Sequence, residues 1–146
     1  MKLFQIEEPD GSPLETDDGP GAAVGIDIAG TVGRVAVALG GNAEILPAAD
    51  GARSLSAAMQ RELLLGLRSR AEKQLARPVT HVVIAIDPGE RAGIEDAAAT
   101  AGITVLRIIE RGEAAALAKG AAPEEAPVLG AAIAAEDAAA TLSQPQ

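Results

Sequence analysis

The chain has 146 residues, of which 48% are apolar, and Phe4 is its only aromatic residue. This length favours one compact domain, whose core must be built from small aliphatic side chains. The formal net charge of −9 argues against nucleic acid or an anionic membrane as a partner, because both require a basic surface. The absence of cysteine excludes disulfides, a thiol nucleophile and cysteine-ligated zinc or iron–sulfur clusters.

Residues 7–21 contain six acidic residues and neither Lys nor Arg. This composition predicts a flexible N-terminal segment over residues 1–21, and the alternative is an acidic docking arm at Glu7–Asp18. The domain is then expected over residues 22–142, followed by a short tail over residues 143–146. Because no signal-peptide core follows Met1 and no apolar run approaches the roughly 20 residues of a membrane span, we expect a cytoplasmic protein.

Apolar runs predict five strands and periodic apolar positions predict four helices. The strands are Val24–Ile28, Arg34–Leu39, Ala43–Leu46, His81–Ile86 and Thr104–Ile109. The helices are Leu55–Ala76, Asp87–Ala101, Glu113–Lys119 and Pro123–Leu142. Ser54 is the expected N-cap of the first helix, and Asp87 with Glu90 forms the expected capping box of the second.

The predicted order is βββαβαβαα, which indicates an α/β domain with a mixed five-stranded sheet. Right-handed crossovers would place the last two strands parallel to the first, on the side away from the hairpin strands. This is a ribonuclease H-like arrangement. Its ligand sites lie beyond the carboxyl ends of the central strands, where Asp27 is expected.

The central motif is AVGIDIAGTVGR at Ala23–Arg34, a buried strand followed by a glycine-rich turn. Such a turn brings backbone N–H groups close to a phosphate. The candidate nucleotide-binding residues are Asp27, Gly30, Thr31 and Gly33. The alternative is a tight hairpin that requires small residues for steric reasons alone.

Two further candidates have weaker support. Asp27 and Asp87 are expected at the ends of adjacent parallel strands, where paired carboxylates hold Mg²⁺ in ribonuclease H-type nucleases. The acidic charge of the chain disfavours a nuclease, and a capping box with Glu90 is by itself a sufficient reason for Asp87. His81 is the only histidine and has no catalytic Ser or Cys pattern around it, so we expect a surface residue.

Three sequence blocks resemble the seventy-kilodalton heat-shock chaperones of the DnaK/HscA type. The first is GIDIAGTVGRVAVALGGNAEILP, Gly25–Pro47, beside the family pattern that begins GIDLGTTNS. The second is VIAIDPGERAGIEDAAATAGITVLRIIERGEAAALAKG, Val83–Gly120, beside a pattern that ends NEPTAAALAYG. The third is PEEAPVLGAAIAAED, Pro123–Asp137. The segment LFQIEEP, Leu3–Pro9, is similar to the opening of the HscA branch, which serves iron–sulfur cluster assembly.

The resemblance implies an actin-like ATPase fold, with ATP and Mg²⁺ as the ligands of the family. By this resemblance Asp27 matches the aspartate near magnesium and Thr31 matches a phosphate-contacting threonine. Gly30 stands in place of the second threonine, and Arg111 stands in place of the catalytic-site glutamate of NEPT. Asp87 replaces the proline that ends the fourth strand in the family.

Large parts of the family pattern have no counterpart. The insertion expected near residues 47–55 is missing with its lysine. The second lobe expected between Gly120 and Pro123 is missing with its second phosphate loop and adenosine site, and neither the interdomain linker nor the peptide-binding domain is matched. What remains resembles the inner subdomain of the first ATPase lobe.

These departures predict a non-catalytic, chaperone-derived protein-binding module that binds no cofactor. By resemblance, the partners expected are iron–sulfur assembly proteins or co-chaperones, and a homodimer is an alternative. A second hypothesis is one half of a split ATPase that a partner completes in trans. A third is a relic that folds without retained activity.

Overall fold

The computed structural model describes residues 22–143. Its strands are β1 (Ala22–Ala29), β2 (Val32–Leu39), β3 (Asn42–Ile45), β4 (Leu55–Ser56), β5 (Val79–Ile86) and β6 (Thr104–Glu110). Its helices are α1 (Gln60–Leu75), α2 (Arg91–Ala101), α3 (Arg111–Leu117) and α4 (Ala126–Ser143). The prediction of a mixed α/β domain is confirmed.

The sheet is mixed, and its strands lie in the order β3-β2-β1-β5-β6, with β4 paired to the start of β2. β1 and β2 are antiparallel because only Gly30 and Thr31 separate them, and Gly30 has the positive φ of 63° that such a turn needs. β5 and β6 run parallel to β1, since each follows a helical crossover. The carboxyl ends of these three strands therefore meet at one edge of the sheet, which we call the carboxyl edge.

The two faces of the sheet are packed in different ways. α1 and α2 cover one face with large aliphatic side chains, among them Leu63, Leu64, Leu67 and Ile94. α3 and α4 cover the other face mainly through small residues, among them Ala114, Ala131, Ala134 and Ala135. Alternation along β1 divides its side chains between the two faces.

Close backbone approach defines the α3/α4 face. A Cβ atom on Gly25 of β1 would overlap the backbone of Ala131 and Ala132 in α4. A Cβ atom on Gly130 of α4 would overlap the backbone carbonyl of Ala114 in α3. Glycine at these two positions therefore lets α4 lie directly against both the sheet and α3.

The predicted start of the first helix at Leu55 is wrong. Leu55–Ser56 forms a short strand, β4, in addition to the five predicted strands. The N–H of Ala57 donates a hydrogen bond of 3.0 Å to the carbonyl of Thr31. Pairing with β2 satisfies these backbone groups, so α1 begins only at Gln60. Its N-cap is Met59, which makes no side-chain capping bond, rather than Ser54.

The predicted capping box at the second helix is also wrong. α2 begins at Arg91, and its N-cap Glu90 makes no side-chain capping bond. Glu90 instead accepts a 2.9 Å hydrogen bond from Gln60 Nε2. Asp87 lies four residues before the start of α2, and its Oδ1 is 3.7 Å from Arg111 Nη1.

The predicted limits of the last two helices shift slightly. α3 spans Arg111–Leu117 rather than Glu113–Lys119, and α4 spans Ala126–Ser143 rather than Pro123–Leu142. The predicted segment 1–21 lies outside the described residues, as does the predicted tail from residue 144 onward. Within residues 22–143, no helix is long and apolar enough to cross a membrane.

Candidate functional site

Asp27 is the buried charged side chain at the carboxyl edge. It lies in β1 with a relative exposure of 1%, and it is the one charged residue in the buried class within residues 22–143. A buried carboxylate requires hydrogen bonds and a counter-charge to offset the loss of its hydration. The neighbours of Asp27 therefore decide what this edge can do.

Arg111 supplies the counter-charge. It is the first residue of α3, which begins directly after β6, so the strand delivers it to the carboxyl edge. Its Nε donates to Asp27 Oδ1 at 2.6 Å and its Nη2 donates to Asp27 Oδ2 at 3.3 Å. Its Nη1 lies 3.7 Å from Asp87 Oδ1. One guanidinium thus holds both oxygens of Asp27 in a bidentate pair and also reaches a second carboxylate.

The pKa values of the pair show two opposing influences. Burial raises the pKa of Asp27 above its usual value, while the hydrogen bond and the positive charge of Arg111 oppose this rise. The hydrogen bond to Asp27 raises the pKa of Arg111. The arginine therefore stays charged, and it is the main group that limits the cost of ionising Asp27. The positive charge of Arg34, the cross-strand neighbour of Asp27 on β2, adds to this effect, and the negative charge of Asp87 opposes it.

The carboxyl edge also contains a cavity of about 300 Å³ between the ends of β5 and β6. Its lining contains three acidic side chains and one basic side chain beside three isoleucines. The lining residues are Ile86, Asp87, Pro88, Gly89, Arg91, Ile108, Ile109, Glu110 and Glu113. This edge therefore presents a shallow acidic surface beside the Asp27–Arg111 pair.

Comparison with known proteins identifies the family. The sequence model of the family described as Hsp70 protein matches residues 56–134, which is more than half of the chain. This chain belongs to the Hsp70 family. The resemblance seen in the sequence is thereby confirmed at the level of the family.

Among curated Hsp70 relatives, a chaperone protein HscA homolog from Azoarcus sp. (strain BH72) is 43% identical over 63 residues. That match covers 40% of this chain and 10% of the relative. The chain thus spans about a tenth of the length of the curated relative it matches.

The four predicted nucleotide-binding residues occupy different environments in this Hsp70-family chain. Asp27 lies at the carboxyl edge with both oxygens bonded to Arg111. Gly30 and Thr31 form the exposed turn beyond the same edge. Gly33 is buried in β2, where a Cβ atom would lie 2.7 Å from Leu67 Cδ1 in α1. Turn geometry and helix packing thus account for the two glycines, and a phosphate-binding role stays a prediction.

The groups present at Asp27 do not fit the magnesium ion that the family implies. A cation bound to Asp27 would lie beside the guanidinium of Arg111, which already bonds to both carboxylate oxygens. Asp87 is within ion-pair distance of the same guanidinium. Within residues 22–143, no group of three or more His, Asp or Glu side chains is arranged to hold a metal.

His81 lies away from this edge, at the amino end of β5, with its Nδ1 2.7 Å from the hydroxyl oxygen of Thr80. The direct pairing of Arg111 with Asp27 is the feature that the sequence did not reveal, because 84 positions separate the two residues. A signal was available, since a single acid within an otherwise apolar, buried strand requires a cation nearby. The strand register identifies which cation it is.

Proposed function

We propose that this Hsp70-family chain is a non-catalytic protein-binding module derived from the inner subdomain of the first ATPase lobe. The observation that carries the proposal is the bidentate bond of Arg111 to Asp27. It places a fixed positive charge on the carboxylate that the family resemblance assigns to magnesium. ATP hydrolysis requires that metal to neutralise charge on the phosphates, so we propose that the chain has no ATPase activity and binds no cofactor.

The proposed fold is the ribonuclease H-like, actin-like arrangement. Two antiparallel strands on one side of β1 and two parallel strands on its other side support it. In such sheets ligands bind at the carboxyl ends of the central strands. In the proposed module this edge is the surface that the second lobe covers in the longer family members.

Polar pairs along this side of the molecule support a protein-facing surface. Arg53 Nε lies 2.7 Å from Glu125 Oε2. Arg53 belongs to the segment where the family's first insertion is expected, and Glu125 lies two residues after the position expected for the second lobe. Gln60 bonds to Glu90 from a neighbouring helix. A surface whose charged side chains are paired with one another is stable in contact with water. It is also suited to a polar protein interface, in which hydrogen bonds and charge complementarity fix the orientation of the partner.

Iron–sulfur assembly proteins and co-chaperones are the partners that we propose to try first. The match to an HscA homolog supports this choice, since the resemblance links that branch to iron–sulfur cluster assembly. A second copy of this chain is the competing partner.

The first experiment is isothermal calorimetry of the purified chain with ATP and Mg²⁺. We expect no heat of binding. Micromolar binding by the isolated chain would overturn the non-catalytic proposal. Binding that appears only after a captured partner is added would establish the split ATPase instead.

The second experiment is affinity capture from the host with three baits: the wild type, Glu110→Lys and Glu44→Lys. Both glutamates are exposed and lie in strands, but Glu110 is at the carboxyl edge and Glu44 is in β3 at the far side of the sheet. We expect Glu110→Lys to lose an iron–sulfur assembly protein or co-chaperone that Glu44→Lys retains. Equal capture of that protein by all three baits would place the interface elsewhere.

A further inference from the structure

Asp27 lies near the carboxyl end of the central strand, and its ionisation sets a condition on folding. The carboxylate is 1% exposed, so water does not stabilise its charge. Burial raises its pKa, which means that the charged form is disfavoured in the folded protein. Some positive group must therefore accompany the charged carboxylate in the native state. The charged groups that act on it are Arg111 of α3, Arg34 of β2 and the negatively charged Asp87 after β5, and of these only Arg111 hydrogen-bonds to it.

Arg111 meets this condition through its shape as well as its charge. Nε and Nη2 each donate a hydrogen bond to one carboxylate oxygen of Asp27, at 2.6 and 3.3 Å. A planar guanidinium provides this two-pronged geometry, and an ammonium group does not. The side chain is 26% exposed, so the far side of the guanidinium remains near water and near Asp87. The cation is thus held on one side by a buried acid and on the other by an exposed one.

We propose that the Arg111 guanidinium is the built-in counter-ion of this edge, in the place where the family resemblance implies a bound divalent cation. The positive charge is carried by α3 itself, so the charge balance of the edge needs no ligand. Folding of this chain is therefore independent of Mg²⁺ and nucleotide. Arg111 acts as a positioning residue: it fixes the carboxyl end of β1 to the start of α3.

This inference goes beyond the proposed protein-binding role, because it concerns charge balance within the fold. Its test uses the purified chain without a partner. A failed capture experiment therefore does not contradict the counter-ion role of Arg111. A failed test of the counter-ion role would likewise not change the result of the capture experiment.

The test compares thermal unfolding of the wild type with Arg111→Met, Arg111→Lys and the double variant Asp27→Asn/Arg111→Met, each with and without millimolar MgCl₂. We expect the wild-type Tm to be unchanged by Mg²⁺. We expect Arg111→Met to lose more than about 10 °C at neutral pH, because it leaves a buried carboxylate with no hydrogen-bonded cation, and Arg34 compensates its charge only at a distance. Arg111→Lys should recover part of this loss, since it restores the charge but not the fork.

The pH profile separates a counter-ion from a residue that only fills space. In Arg111→Met the pKa of Asp27 should rise further, so the Tm should recover as the solution is acidified and the carboxyl group becomes neutral. The double variant has no carboxylate at this position and should show no such recovery. If Arg111→Met is too unstable to purify, a folded double variant beside a misfolded single variant supports the inference.

Two results would overturn the inference. One is a wild-type Tm that rises with Mg²⁺, which would mean that the edge still takes a cation. The other is an Arg111→Met variant whose Tm loss is the same in acid as at neutral pH, which would mean that the arginine contributes packing alone.

Discussion

The two faces of the central sheet are packed against their helices through different kinds of contact. On the α1/α2 face the contacts are made by long side chains, such as Leu64 and Leu67, which can shift between rotamers. On the α3/α4 face the contacts are made by backbone against backbone at Gly25 and Gly130. A side-chain contact can yield to a substitution, whereas a backbone contact can yield only by separating two elements.

This difference bears on the site because Arg111 belongs to the closely packed face. It is carried by α3, which α4 holds through the contact of Gly130 with Ala114. A change in the α3–α4 spacing would move the guanidinium away from Asp27. The face built from the smallest residues is therefore the one that positions the charged pair.

The largest effect is expected from Gly130→Ala. A Cβ atom there would overlap the carbonyl of Ala114, and no rotamer change can remove a backbone obstacle. We expect a loss of more than about 5 kcal/mol in unfolding free energy, beyond the usual range of overpacking effects, because two backbone segments must separate. Chemical denaturation measures it.

Gly112→Ala is the matched control, because Gly112 also lies in a helix but a Cβ atom there would meet nothing within 4 Å. That variant should be unchanged or more stable by up to about 1 kcal/mol, since alanine favours a helix. If both variants behaved alike, close packing of α4 on α3 would be refuted.

The charged pair should respond unequally to removal of its two members. Arg111→Met leaves a buried anion and should cost about 3–5 kcal/mol at neutral pH. Asp27→Asn leaves an arginine that is 26% exposed and 3.7 Å from Asp87, so we expect a loss of only about 1–2 kcal/mol. Urea titration of both variants measures the difference.

The same pair gives a pH dependence whose sign follows from the raised pKa of Asp27. The folded protein holds this proton more tightly than the unfolded chain, so the contribution of Asp27 to stability is full below its unfolded pKa. That contribution is lost as the pH rises through the folded pKa. Asp27→Asn should therefore remove this component from a plot of unfolding free energy against pH. An unaltered plot would contradict the assignment.

On the α1/α2 face we expect Leu67→Ala to cost about 3 kcal/mol, because it empties space among buried side chains. Gly33→Ala alone should also destabilise, since its Cβ would lie 2.7 Å from Leu67 Cδ1. The double variant should lose less than the sum of the two, because the new methyl group enters the vacated space. Strict additivity in a double-mutant cycle would show that the two positions do not share this contact.

The smallest effect is expected at the opposite end of the sheet. Glu136 of α4 accepts hydrogen bonds from the N–H groups of Gly40 at 2.5 Å and Gly41 at 2.9 Å. Glu136→Gln keeps one acceptor oxygen, so we expect a loss of about 1 kcal/mol and faster amide hydrogen exchange at both glycines. Glu44→Gln, at an exposed position in β3, should leave both exchange rates unchanged.

Helix starts show where sequence reasoning falls short. Ser54 is a good N-cap residue and the apolar periodicity begins at Leu55, yet Leu55 pairs with β2 and α1 begins five residues later. Asp87 and Glu90 have the spacing of a capping box, yet both side chains bond elsewhere. Local preference was overridden in each case by a contact with a distant segment, which single-sequence patterns do not contain.

The sequence by itself determined the mixed α/β class, the places of the five longer strands and the family. The strands could be placed because buried strands are continuous apolar runs. The family could be recognised because the three sequence blocks that resemble it occur in the same order as in the family pattern. Only the tertiary structure decided that Arg111 pairs with Asp27 and that Gly25 and Gly130 are points of backbone contact. Those facts depend on strand register and helix spacing, which bring Asp27 to Arg111, 84 positions away, and Gly25 to Ala132, which is farther still along the chain.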